Sequence, residues 1–266
     1  MRWTEIAEKI ELQKEIVEKL AECEKTLDCE RLQADIEALS DPERTARAYE
    51  ALRQKLDPDE GNVKMELCQL LAAERMRDKY RALGICEEIF LATMRAFPRF
   101  LEETRVYRGA YEIDRTYWSY RQVGMTLFRV GALEYELRRD TGCVSIHIPS
   151  DADFSPASVD SSIEDAKRFI QSYFPAFAGA PIVCHSWLMS GALKPLLPDS
   201  SNIIQFQKRF RVTDEERESD GCIRFLFQMT EDTPLADLRE NTSLQRKVKA
   251  LLLRGEKIGT ARGVLI

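Results

Sequence analysis

The sequence predicts an α+β protein: an all-helical domain over residues 1–104, followed over residues 105–266 by a mixed β-sheet flanked by helices. Three observations predict it. Apolar residues recur every three or four positions before about residue 105, as amphipathic helices require. Beyond that point aromatic and β-branched residues gather and the period falls toward two, the pattern of half-buried strands. A chain of 266 residues, 44% of them hydrophobic, also lies near the length at which one core divides into two.

In the first part, Trp3, Ile6, Ile10, Val17 and Leu20 keep helical spacing with Glu and Lys between them. Ser40-Asp41-Pro42-Glu43 restarts a helix, with a capping side chain, a proline suited to the first turn and an early acid that favours the positive end of the helix dipole. The stretch from Asp57 to Asn62 breaks that helix, and Asn62 opens a longer one bearing Val63, Leu67, Leu70 and Leu71, which Gly84 stops. A last run from Ile85 to Phe97 is expected to end at Pro98, completing a bundle of four or five helices.

In the second part, Met125 to Leu137 reads as strand broken at Gly131, and Cys143 to Ile148 as the next strand. Thr141-Gly142 is the expected two-residue hairpin turn. A polar loop from Pro149 to Ser158 leads into a helix through Ile163, Ala166, Phe169, Ile170 and Tyr173. Ile182 to Leu188 is a short apolar strand with a brief helical piece after it. Two more strands are expected at Asn202–Val212 and Cys222–Gln228, around an acidic turn from Asp214 to Asp220. A helix near Leu244–Arg254 and a short apolar tail, Gly263–Ile266, close the chain.

Composition narrows the partners. Residues 1–104 hold 17 Lys+Arg against 24 Asp+Glu, and residues 105–266 hold 22 against 21, so the parts carry −7 and +1. Neither has the basic excess that duplex binding needs, which argues against nucleic acid, while the acidic helical part suits a protein partner. No stretch has the eighteen or so unbroken apolar residues of a membrane span, and MRWTEIAEKIEL carries acids where a signal peptide has its apolar core. Cys23, Cys29, Cys68, Cys86, Cys143, Cys184 and Cys222 show neither a C-x-x-C pair nor zinc-ligand spacing. A cytoplasmic protein with free thiols and no metal is therefore expected.

Four segments carry a resemblance: RTYWSYRQ (115–122) with the LFRVGALEYEL that follows, VSIHIPSD (144–151), VCHSWL (183–188) and PDSSNI (198–203). They resemble the acyltransferase domain-containing family, which pairs a helical N-acyltransferase N-terminal domain with a GNAT-like C-terminal domain. The strand, strand, loop, helix, strand order also resembles the GNAT core. The resemblance implies acetyl-CoA or another acyl-CoA as co-substrate and a small-molecule or peptide amine as acceptor. One departure concerns phosphate: GNAT enzymes usually hold the CoA pyrophosphate on a Q/R-x-x-G-x-G/A loop, whereas here SDADFSP (150–156) has no glycine and two aspartates. EKIGTA (256–261) approximates the spacing but lacks a following helix. The first turn of the helix after the loop, at Ser158 and Asp160, is the remaining anion site, with the strand at Ile146, His147 and Ile148 alongside the pantetheine arm.

Amide formation from a thioester needs a base for the amine proton, donors for the oxyanion and an acid for the thiolate. His147 and His185 are the only histidines, on strands that the resemblance places side by side. A two-residue turn would set Glu136 directly opposite His147, where a carboxylate orients an imidazole as a base. Glu136, His147 and His185 are thus the catalytic candidates, and backbone near Ile146 the oxyanion donor. Both histidines equally suit a structural role. Cys184 and His185, as adjacent strand residues, face opposite sides and cannot pair, and Ser145 and Ser186 lack a nucleophile motif. Arg115, Trp118 and Arg121 combine charge and aromatic faces for substrate recognition or for packing, and Asn202 joins them as a substrate-binding or turn residue. The alternative to an enzyme is a non-catalytic sensor or interaction module on the same fold.

Overall fold

The computed structural model describes residues 2–219 and 221–266, and the chain divides into two compact units, Met1–Val130 and Gly131–Ile266. Helix α7 below runs unbroken through residues 104 and 105. Among the described residues, no helix is long and apolar enough to cross a membrane.

The first unit holds α1 (Trp3–Lys9), α2 (Lys14–Glu24), α3 (Cys29–Leu39), α4 (Thr45–Lys55), α5 (Val63–Leu83), α6 (Glu87–Met94), α7 (Ala96–Arg108) and α8 (Thr116–Val123), then strand β1 (Leu127–Val130). It has more and shorter helices than the expected four or five. Pro98 does not end a helix. It sits in the first turn of α7, where its missing N–H would be unpaired in any case. Helix α5 is the centre of the unit, burying Leu67, Cys68, Leu70, Ala72, Ala73, Met76 and Tyr80, and ends as expected at Gly84 with φ 76°.

The second unit is built from β2 (Leu133–Arg138), β3 (Cys143–His147), α9 (Pro156–Tyr173), β4 (Ile182–Ser186), α10 (Asn202–Gln207), β5 (Phe210–Glu216), α11 (Ser243–Leu253) and β6 (Thr260–Leu265). Its strands lie in the order β2-β3-β4-β6-β5. β2 and β3 form the expected hairpin, β3 and β4 run parallel, and β6 is antiparallel to both neighbours. The mixed sheet expected from the sequence is present.

Three expectations about the last third are corrected. Asn202–Gln207 is helix α10, because Ile204, Phe206 and Gln207 bury together and Phe206 packs on Phe154 and Phe210. The strand begins only at Phe210 and includes Asp214 and Glu216, which were expected in a turn; Asp220 lies outside the described residues. Ile223–Phe227 is a π-helical turn whose Ile223 and Phe227 join Val248, Leu251 and Leu252 of α11 in a satellite core. The missing strand comes from the expected tail: β6 lies between β4 and β5. Gly263 permits this, since a Cβ there would stand 2.9 Å from both Phe210 Cβ and Met189 Cε.

Candidate active site

Paired residues on neighbouring strands point to the same side of a sheet, and successive residues alternate. The β2–β3 register, with Glu134 opposite His147, Glu136 opposite Ser145 and Tyr135 opposite Ile146, therefore divides the hairpin sharply. Leu133, Tyr135, Leu137, Val144 and Ile146 share the face toward α9, where Ser162 Oγ meets the Tyr135 hydroxyl at 3.0 Å and accepts from Leu133 N at 3.2 Å. Glu134, Glu136, Ser145 and His147 share the other face.

His147 Nε2 lies 2.8 Å from Glu136 Oε2. The expected contact forms, but not through direct opposition. The connection spans Arg139–Gly142, because Arg138 pairs with Cys143, so Glu134 stands opposite His147 and Glu136 sits on the diagonal. A two-residue shift leaves every side chain on its face, and a glutamate can reach a diagonal neighbour. An ionised carboxylate only accepts, so Nε2 is the donor in this contact. Glu136 is buried, while the His147 side chain keeps 23% of its surface open. The ring is held and still reachable.

The β3–β4 ladder runs Val144–Ile182, Ser145–Val183, Ile146–Cys184 and stops there. His147 and His185 are the next residues on each strand, on a common face by alternation. His185 is exposed, and its Nε2 lies 3.2 Å from Thr260 Oγ1 on β6. Thr260 Oγ1 in turn donates to Glu216 Oε2 on β5 at 3.5 Å. Cys184 points the other way, fully buried, and burial pushes its thiol up to about 12, far from a nucleophilic thiolate. Ser186 Oγ accepts from Leu188 N, an end-capping role.

At the start of α9, Ser155 Oγ accepts from Ser158 N at 3.4 Å and Asp153 accepts from Ser155 N at 3.0 Å. Backbone and side-chain hydrogen bonds from Ser155 hold the Asp153 carboxyl below its usual range. Asp160 accepts from Arg209 Nε at 2.6 Å, and a second guanidinium nitrogen of Arg209 reaches Pro156 O at 3.2 Å. Arg209 thus sets a cation beside the first turn of α9. Ile148 continues β3 past its last ladder residue.

Arg115, Trp118 and Arg121 belong to α8 and the residue before it, in the first unit. Arg115 pairs with Glu103, approaches Asp114 at 3.7 Å and stands 4.9 Å over the Phe100 ring, a half-buried packing role. Arg121 stacks on Trp118 at 4.1 Å. Asn202 opens α10 with its side chain exposed. The structure gathers Glu136, His147 and His185 on one sheet face. Thr260, Glu216 and Arg209 went unrecognised in the sequence. The signal available for Thr260 was the alternation Thr260, Arg262, Val264, hidden because Thr260 falls in EKIGTA, weighed as a phosphate loop, while the expected tail begins only at Gly263.

With this geometry in place, the comparisons identify the class of fold. Residues 1–125 match the N-acyltransferase N-terminal domain, and residues 127–265 match the GNAT-like C-terminal domain. The chain belongs to the family that joins these two domains. A solved acyltransferase in complex with decanoyl-CoA and teicoplanin superposes with a TM-score of 0.80 at 22% identity, over 98% of this chain and 86% of that one. A variant acyltransferase in complex with octanoyl-CoA gives 0.80 at 23% identity, with the same coverage. Another, in complex with decanoyl-CoA, gives 0.72 at 18% identity over 100% of this chain and 99% of that one. These likenesses establish the fold. No curated protein matches the chain.

Proposed function

We propose that this protein transfers an acyl group from acyl-CoA to an amine of a small-molecule or peptide acceptor by direct attack on the thioester. The observation that carries the reading is the Glu136–His147 hydrogen bond at the open end of the β3–β4 ladder. His147, held through Nε2, presents Nδ1 to take the amine proton as the C–N bond forms and the C–S bond breaks. Backbone at Ile146 to Ile148 lies beside the thioester and offers the oxyanion a donor. The CoA phosphates lie toward the first turn of α9, near Ser158 and Asp160, with Arg209 exchanging Asp160 for phosphate. Asn202 is retained as an acceptor contact in this reading, whereas Arg115, Trp118 and Arg121 pack within the first unit.

The solved relatives hold decanoyl-CoA and octanoyl-CoA, which favours a medium-length acyl chain over acetyl, and teicoplanin beside decanoyl-CoA in one of them favours a bulky acceptor. Free cysteines and a CoA donor both suit a cytoplasmic setting. The test is CoA thiol release from acetyl-, octanoyl- and decanoyl-CoA with a panel of peptide and small-molecule primary amines, teicoplanin among them. Amine-dependent release, with mass spectrometry showing the amide, is expected. Acyl-CoA binding with no amide from any amine would favour the sensor reading instead.

A further inference from the structure

We propose that His185 protonates the departing CoA thiolate, and that Thr260 and Glu216 are positioning residues that fix its ring for this task. The inference rests on the acyl-transfer reading above and divides its two proton transfers between two histidines.

The argument starts from donor counting. Thr260 Oγ1 donates its single hydrogen to the Glu216 carboxylate, which only accepts. The hydroxyl must then accept from its other neighbour, so at the 3.2 Å contact His185 Nε2 is the donor. Nε2–H is fixed, and Nδ1 is the ring atom left to exchange protons. Glu136 fixes His147 in the same sense. One sheet face therefore carries two imidazoles, each tied by Nε2 to a carboxylate and each working through Nδ1. One tie is direct and part-buried, whereas the other passes through a hydroxyl across three strands, β4, β6 and β5.

The two ties suit opposite tasks. His147, in direct contact with its carboxylate, is the base. His185 is exposed, so its Nδ1 can be recharged with a proton from solvent, as an acid must be each turn. His185 shares this face with Thr260 and Arg262 of β6, Asp214 and Glu216 of β5, and His147 of β3. The balance closes: the amine proton passes to His147 Nδ1, the C–N bond forms as C–S breaks, and the thiolate takes the proton from His185 Nδ1 to leave as CoA thiol. Solvent returns each ring to its starting state.

The experiment compares Thr260→Val with Thr260→Ser, in turnover of acyl-CoA and in the ¹⁵N–¹H spectrum of the imidazoles. Thr260→Val should lower kcat about tenfold with KM for acyl-CoA within about twofold, and Thr260→Ser should retain wild-type turnover. His185→Ala combined with Thr260→Val should be no slower than His185→Ala alone, since the hydroxyl acts only through the ring. At a pH where the ring is neutral, the spectra should show His185 as the Nε2–H tautomer in the wild type and Thr260→Ser, and a mixture in Thr260→Val. Full turnover in Thr260→Val, multiplying losses in the double variant, or a neutral wild-type ring protonated at Nδ1 alone would each overturn the proposal. The tautomer readout needs no turnover, so the two readings fail separately. A fixed Nε2–H ring in a protein that transfers no acyl group overturns the enzyme reading and the acid role. Acyl transfer with an unfixed ring overturns the relay alone.

Discussion

Two of the buried glutamates, Glu66 in the first unit and Glu136 in the second, have opposite fates. Glu136 on β2 is bound to an imidazole, whereas Glu66 on α5 is fully enclosed with only burial and the like charge of Asp114 acting on it. Both effects raise the Glu66 carboxyl, to about 8. The difference teaches how to read a buried carboxylate: Glu66 stays neutral by keeping its proton, while Glu136 keeps its place by orienting a neighbour. A partner that can itself exchange protons marks the second as part of a site.

The largest expected effect tests the partnered member. His147→Ala should slow acyl transfer roughly 100-fold or more and Glu136→Gln about tenfold, with circular dichroism showing the fold retained. Equal turnover in either variant removes that residue from the mechanism and makes the two glutamates alike. The lone member has a different signature. Its carboxyl is raised in the folded state, so its contribution to stability is full below its ordinary value of 4.5 and is lost as pH rises through about 8. Glu66→Gln should therefore gain stability over the wild type by roughly 2–4 kcal/mol at pH 9 and little at pH 5, read from urea melts at both pH values. A gain independent of pH would show that Glu66 is already ionised. The smallest effect sharpens the contrast from the phosphate side. Arg209→Ala should weaken acyl-CoA binding several-fold, about 1 kcal/mol, without changing the binding of acyl-pantetheine, which lacks the nucleotide phosphates.

How much of this was legible in the sequence depended on how far apart the interacting residues lie. In the helical unit, periodicity and the stop at Gly84 are local signals, and the helices follow them, although Pro98 started a helix rather than ending one because proline is tolerated in a first turn. The β2–β3 hairpin is also local, and the Glu136–His147 contact could be foreseen even with the turn misjudged by two residues, since an even shift preserves the face. The other edge of the sheet depends on β6 returning from the end of the chain to lie between β4 and β5, and nothing in residues 260–265 alone announces that. Thr260 became interpretable only when paired with Glu216 and placed beside His185. Asn202–Gln207 misled in the opposite sense, because apolar residues over so short a run fit strand or helix until Phe154 and Phe210 define the pocket for Phe206.

The measurement that bears most directly on the central claim is calorimetric titration of the protein with acetyl-, octanoyl- and decanoyl-CoA, with the matching acyl-pantetheines as controls for the phosphates. The account predicts micromolar binding of acyl-CoA that persists in His147→Ala and weakens when the nucleotide is removed. The absence of binding to any CoA ester would contradict it, leaving the paired histidines as supports of the sheet and the chain as a binding module for something else.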